Sequence, residues 1–202
     1  MKSTVGFGII GCGVIAHFHA QALADLPRAR LVGAYGTNEE KTRAFTEKWR
    51  VRQYESLQAM LADKEIDAVC ICTPSGLHTQ QAVLAMRAGK HVVCEKPMSV
   101  NLTEADELIA TARETGVKVC IISQYRLSPA VQEIKRALDA GALGKVVQAS
   151  LSMKYFRTQA YYDSAAWRGT WAMDGGGALM NQGIHGVDVF RYLMGPVRSL
   201  YA

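Results

Sequence analysis

The chain has 202 residues, 49% of them hydrophobic and 20% charged, a globular composition long enough for one full domain and part of another. No run approaches the roughly 20 apolar residues that span a bilayer, and the first residues show no signal-peptide pattern, so a cytoplasmic protein is expected. The formal charge of +5 is not gathered into a run, which indicates neither nucleic-acid nor membrane binding and fits a solvated basic surface.

The chain opens on an apolar stretch from Val5 to Ile10, the run Gly11-Cys12-Gly13-Val14-Ile15-Ala16, and a helical pattern to about Leu26. A strand, a two-glycine turn and a helix in that order read as a dinucleotide site. Gly11 permits the turn, Gly13 lets a pyrophosphate approach the backbone, and Ala16 lets helix and strand pack closely. The free N–H groups and positive dipole of the helix start face the phosphates. Strands follow over Arg30–Tyr35, near 51–54, over Asp67–Cys72, over Lys90–Cys94 and over Val117–Ser123. Helices fall between them: Asn38 to Trp49, Ser56 to Ala62, a helix ending near Ala88, and Thr103 to Thr115, with Thr103 and Asp106 at capping-box spacing. Regular strand–helix alternation predicts a doubly wound parallel sheet in the order 3-2-1-4-5-6, covering residues 1–123, with ligands at the carboxyl ends of the strands.

From Gln124 the pattern changes. Ser128-Pro129 opens a helix to about Ala140, and Lys145–Phe156 alternates like a long half-buried strand. Tyr161 to Met173 is aromatic and irregular. Gly175-Gly176-Gly177 leads into a helix from Ala178 to Met194, which Gly195-Pro196 stops, and Val197–Ala202 resembles the start of a strand. Residues 124–202 are thus expected to be a partial second domain. Two strands make a marginal sheet with sticky edges, so a fragment held by a partner chain or prone to association is expected.

Several residues could carry chemistry. Lys96 follows a parallel strand directly and precedes Pro97, which points its ammonium toward a bound nicotinamide; Glu95 could orient it or bind the cofactor. Asn181, His185 and Asp188 share one face of the last helix, beside an apolar stripe of Ile184, Val187, Phe190 and Met194. There His185 is a candidate general base and Asp188 an orienting residue. His17 and His19 read as packing or surface residues, and His78 as a cofactor contact, with Thr73 and Pro74 at the same strand end. The second strand ends in Tyr35-Gly36-Thr37-Asn38 with no acid before Glu39, and Lys41 and Arg43 follow. NAD-specific sites carry an acid there, so NADP is expected to be accepted at least as well as NAD, with Thr37 and Asn38 near the ribose. Five cysteines, Cys12, Cys70, Cys72, Cys94 and Cys120, lie in or beside strands, as reduced hydrophobe-like thiols do; none completes a metal site.

Gly11 to Ala16, Thr73-Pro74 with His78, Glu95-Lys96-Pro97, Trp167-Arg168 and the run from Gly175 through Asn181 to His185 together resemble the glucose–fructose oxidoreductase, inositol dehydrogenase and MocA-like family. The resemblance implies a Rossmann domain followed by an open antiparallel sheet, which is incomplete in this chain. It implies NAD(P)-dependent oxidation or reduction of a sugar, cyclitol or sugar derivative, with Lys96 and His185 at the substrate hydroxyl. Inositol-dehydrogenase-like members carry an aspartate where this chain has Asn181, which can hydrogen-bond a substrate but cannot ionise. Arg126, Tyr155, Arg157, Trp167 and Arg168 are candidate substrate contacts, and a homo-oligomer formed through the substrate-domain sheet is expected. Two rival functions are a non-catalytic dinucleotide sensor and a redox-assisted glycoside-cleaving enzyme.

Overall fold

In a computed structural model, described over residues 4–201, the chain falls into two compact units, one ending at Ile122 and one beginning at Ser123.

The first unit alternates strand and helix: β1 (Val5–Ile10), α1 (Val14–Ala24), β2 (Ala29–Tyr35), α2 (Glu39–Trp49), β3 (Arg52–Gln53), α3 (Leu57–Ala62), β4 (Ala68–Ile71), α4 (His78–Arg87), β5 (His91–Cys94), α5 (Leu102–Thr115) and β6 (Val119–Ile121). The six strands form one sheet in the order β3-β2-β1-β4-β5-β6, and every pairing is parallel. This is the predicted doubly wound order. Neighbouring strand residues serve opposite faces. Ile9, Cys70 and Cys72 pack with Ala16, Ala20 and Leu23 of α1 and with Phe45 of α2. Ile10, Val69 and Ile71 pack with Met60, Leu61, Met86 and Leu108 on α3, α4 and α5. Both faces of β1 and β4 are therefore covered, and that is why these strands read as solid apolar runs. Each fully buried Ile, Leu or Phe stabilises the unit by about 1.5–3 kcal/mol.

The helices start where side-chain acceptors meet free N–H groups. Asn38 caps α2 by accepting from the Lys41 N–H at 2.9 Å, and Ser56 caps α3 by accepting from Ala59 at 3.0 Å. In α5 the cap is Asn101, which accepts from Glu104 at 2.9 Å; the helix begins at Leu102, so Thr103 lies inside its first turn. Asn101 caps because its side-chain oxygen reaches the N3 amide from an extended backbone. All five cysteines are free thiols. Burial pushes the Cys70 thiol up to about 12 and also raises Cys72 and Cys94, so these remain protonated hydrophobes. Cys120 departs from the expectation of burial: it is exposed, on the edge strand β6. Among the described residues no helix is long and apolar enough to cross a membrane, and no group of three or more His, Cys, Asp or Glu could hold a metal ion.

The second unit is helical. A 3-10 turn (Gln124–Leu127) leads into α6 (Pro129–Asp139), followed by two short helices, α7 (Gln159–Asp163) and α8 (Trp171–Asp174). The helix expected from Ala178 opens instead as a π-type turn (Leu179–Gly183) and becomes α-helical only in α9 (Ile184–Met194), so Asn181 lies in the wide turn before the α-helix that carries His185 and Asp188. Gly195 ends it at φ +89°. The strand expected over Lys145–Phe156 is absent: the stretch carries no ladder, nor does 197–201, and Ala202 lies outside the described residues. An alternating pattern marks which residues would face a core, but a strand exists only through its neighbours' hydrogen bonds, and no pairing partner lies among the described residues. The stripe on α9 is accordingly half open, with Val187 49% and Phe190 36% exposed.

Candidate active site

In the first unit the turn after β1 is built by close approach. Gly11 sits at φ +90°, and a Cβ there would lie 2.7 Å from the Thr73 Cγ2 and 3.0 Å from the Cys72 carbonyl. Its N–H donates to the Tyr35 carbonyl at 2.7 Å. Gly13 differs: its φ of −84° suits any residue, and a Cβ there would have nothing of the protein within 4 Å. Neither backbone nor packing requires glycine at Gly13. The space its missing side chain leaves suits a pyrophosphate, and α1 presents no side-chain cap and no acid in its first turn, which leaves its N-terminal field open to an anion. Ala16 is fully buried against β1, while Val14 and Ile15 are exposed beside the turn. Cys12 lies between the glycines, its pKa raised by burial and eased by a hydrogen bond with Thr42. At the end of β2, Thr37 is exposed and the Asn38 side chain is occupied as a helix cap. These residues fit a dinucleotide.

The ends of β4 and β5 are tied together by His78. Its ring is 1% exposed, with Nδ1 2.7 Å from the Pro97 carbonyl and Nε2 2.9 Å from the Thr73 carbonyl. Burial pushes its pKa down while both carbonyls pull it back up. Both ring nitrogens face backbone carbonyls, and the one that carries the proton donates, so this histidine sits between two loops; the sequence suggests a direct cofactor contact for it. Thr73 donates its hydroxyl to Gln81 at 2.6 Å, and Pro74 begins a 3-10 turn. Glu95 is 9% exposed and accepts from His19 Nε2 at 2.8 Å, with its second oxygen 3.3 Å from the Lys96 N–H. Helix α1 thus grips the Glu95-Lys96-Pro97 turn, whose Lys96–Pro97 bond is cis. His19 is more than a packing residue, whereas His17 packs as expected, on Phe45 and under the Trp49 N–H. Replacing His19 with Leu leaves a nearly buried carboxylate short of a donor; a loss of about 1–3 kcal/mol in chemical denaturation is expected.

In the second unit His185 is 7% exposed on α9 and stacks on Tyr125, with ring centroids 4.6 Å apart and planes 24° from parallel. The Tyr125 hydroxyl lies 3.4 Å from that of Tyr155, a contact that raises its pKa. Asp188 takes Arg126 in a two-pronged ion pair, Nε to Oδ2 at 2.7 Å and Nη2 to Oδ1. Arg126 therefore fastens the 3-10 turn to α9 and holds Tyr125 in place, which gives it a structural task beside the substrate contact expected of it. Asn181 donates to Oδ1 of Asp174 at 2.8 Å, and Asp174, 2% exposed, also accepts from the Gly169 N–H at 2.8 Å. Neither Tyr125 nor Asp174 stands out in the sequence: Tyr125 acts on His185 far along the chain, and Asp174 ties Gly169 to Asn181 across a glycine turn that carries no periodic signal. Tyr155, Arg157 and Asn181 line one cleft of about 550 Å³ with Tyr161 and Gln182, and Arg168 and Trp167 pack beside Tyr161.

Residues 5–123 match the model of an oxidoreductase family with an NAD-binding Rossmann fold, GFO_IDH_MocA, and residues 131–202 match the GFO/IDH/MocA C-terminal domain. The WlbA dehydrogenase of Bordetella pertussis, solved with NADH and UDP-GlcNAcA, is 39% identical, with a TM-score of 0.95 over 100% of this chain and 58% of that one. A UDP-N-acetylglucosamine 3-dehydrogenase of Acidithiobacillus ferrooxidans is 38% identical over 64% of this chain and 40% of its own length. A myo-inositol 2-dehydrogenase of Thermotoga maritima is 28% identical over 96% of this chain and 57% of its own. The matched stretch thus spans between 40% and 58% of the length of these relatives.

Proposed function

This chain belongs to the GFO/IDH/MocA oxidoreductase family, and from that premise we propose that the whole protein is an NAD(P)-dependent dehydrogenase acting on a hydroxyl carbon of a sugar derivative. The observation that carries the reading is Gly13, a glycine that neither backbone nor packing demands, at the start of an uncapped helix. The dinucleotide, when bound, supplies or removes the hydride. Gly11 to Ala16 would hold its pyrophosphate. Lys96 and His185 would handle the proton at the substrate oxygen, His185 as base and Lys96 as the cation that stabilises alkoxide-like charge. Asn181, kept in one orientation by Asp174, would hydrogen-bond the substrate. Among sugar derivatives a nucleotide-linked acetamido sugar is favoured by the similarity to WlbA across all of this chain. The test is a screen of sugars, cyclitols and UDP-linked sugars with both cofactors, read by reduced-nicotinamide absorbance and product analysis. Binding without turnover would make the protein a sensor, and product release without net reduction a glycoside-cleaving enzyme.

Cofactor choice follows from the end of β2. No acid there repels a 2′-phosphate, and exposed Lys41 and Arg43 stand in the next turn. Both dinucleotides are expected to bind, NADP at least as tightly as NAD. A clear preference for NAD in a fluorescence titration of both would overturn this.

A further inference from the structure

Among the described residues no acid pairs with Arg157 or Arg168 of the second unit. Both approach the Tyr161 ring, Arg168 Cζ at 4.3 Å and Arg157 Cζ at 5.1 Å from its centroid. Arg157 also lies 5.7 Å from the Tyr155 ring, and Arg168 4.9 Å from that of Trp167. Cation–π contact holds a guanidinium by its face and leaves the donors in its plane for a ligand. Few of those donors are spent: one Arg157 N–H reaches the Phe156 carbonyl at 3.2 Å, and one Arg168 N–H the Tyr161 hydroxyl at 2.6 Å. The Nε of each is buried with no hydrogen-bond partner among the described residues. By contrast Arg30, Arg52, Arg126 and Arg136 each pair with a carboxylate. Two like charges gathered on one ring, with buried donors unmet, are costly unless an anion completes them.

We propose that Arg157 and Arg168, presented by Tyr161, form a subsite for an oxyanion carried by the substrate, a carboxylate or a diphosphate. The substrate is then an anionic sugar derivative and not a free sugar or cyclitol. Arg157 lines a cleft of about 550 Å³ together with Asn181 and Gln182, a volume in the range of small-molecule sites. Planar forks of this kind match carboxylate and phosphate oxygens in pairs. The proposal rests on the reading that the second unit binds substrate.

Titration calorimetry of the full chain tests it with UDP-GlcNAcA, UDP-GlcNAc, glucuronate and myo-inositol as probes. Wild type is expected to bind UDP-GlcNAcA and to hold myo-inositol more weakly. Arg157→Gln and Arg168→Gln should each weaken UDP-GlcNAcA binding by about 10–100-fold, the loss of charge-assisted hydrogen bonds. Arg157→Lys, which keeps charge but loses the fork, should fall between. Arg136→Gln, whose partner is Glu133 on α6, should bind as wild type. Thermal melts confirm that each variant is folded. An equal loss for UDP-GlcNAc assigns the subsite to the diphosphate, and a loss confined to UDP-GlcNAcA and glucuronate assigns it to the carboxylate. Unchanged binding in both Gln variants, or a wild type that binds none of the anionic probes, overturns the subsite. Cofactor reduction with a neutral sugar in that case would leave the dehydrogenase reading standing, while anion binding without reduction would do the reverse.

Discussion

His185→Ala and Lys96→Met are each expected to lower turnover by about 10²–10⁴-fold while dinucleotide affinity stays within a fewfold of wild type. The proposed mechanism gives the two side chains different places. His185 is nearly buried and held face-on by Tyr125, which fixes the plane in which its nitrogens present a lone pair. As the proposed base it would act only on a proton that lies in that plane. Lys96 follows a carboxylate, Glu95, that His19 already engages, so the Glu95-Lys96-Pro97 turn is steadied from α1. In the proposed reaction, charge that develops on the substrate oxygen as hydride leaves would be met by the ammonium, and removing it would cost the transition state more than the ground state. Both variants should therefore lose kcat with little change in KM. Asn181→Ala should mainly raise KM, because an amide can hold a hydroxyl but not take its proton. Single-turnover kinetics on the true substrate, with dinucleotide binding followed by fluorescence, separates these outcomes. Near-normal turnover in His185→Ala would remove the histidine from the mechanism and leave Lys96 as the base.

How far the sequence could be read depended on distance along the chain. The turn from Gly11 to Ala16 was legible because strand, glycines and helix are contiguous, and the sheet order followed because each crossover is a local βαβ step. Helix starts at Asn38, Ser56 and Ser128 were legible for the same reason, each cap reaching an amide three residues on. The long alternating stretch from Lys145 misled, because its pattern records which side chains want cover and not whether a neighbouring strand is at hand. Pairs distant in sequence were invisible: His19 with Glu95, Tyr125 with His185, Asp188 with Arg126. For His78 only the residue type was legible, and a histidine near a phosphate turn suggests a ligand contact until both nitrogens are seen on carbonyls. Candidate chemistry could thus be named from the sequence, but the residues that position it could not.

Gly11 and Gly13 should respond to alanine in opposite ways. Gly11→Ala forces a side chain into a left-handed backbone at φ +90° and sets its Cβ 2.7 Å from Thr73 and 3.0 Å from the Cys72 carbonyl. A cost of about 1–3 kcal/mol is expected for the backbone alone, and each kcal/mol lowers the melting point by roughly 2–8 °C for domains of about 100–200 residues. Gly13→Ala meets no protein atom within 4 Å and keeps an ordinary φ of −84°. Its stability should hold, or rise by up to about 1 kcal/mol as the unfolded chain loses freedom. What the new methyl occupies is the approach a pyrophosphate needs to the α1 amides, so dinucleotide affinity should fall by about tenfold or more, the equivalent of at least ~1.4 kcal/mol. Melting curves with and without NADP and NAD read both effects at once. Wild type gains stability from the ligand in proportion to the logarithm of its occupancy, and Gly13→Ala should lose that gain while its ligand-free midpoint stays put. A Gly13→Ala protein that binds either dinucleotide as tightly as wild type would mean the turn is only a tight connection between strand and helix, and the cofactor site would have to be sought elsewhere.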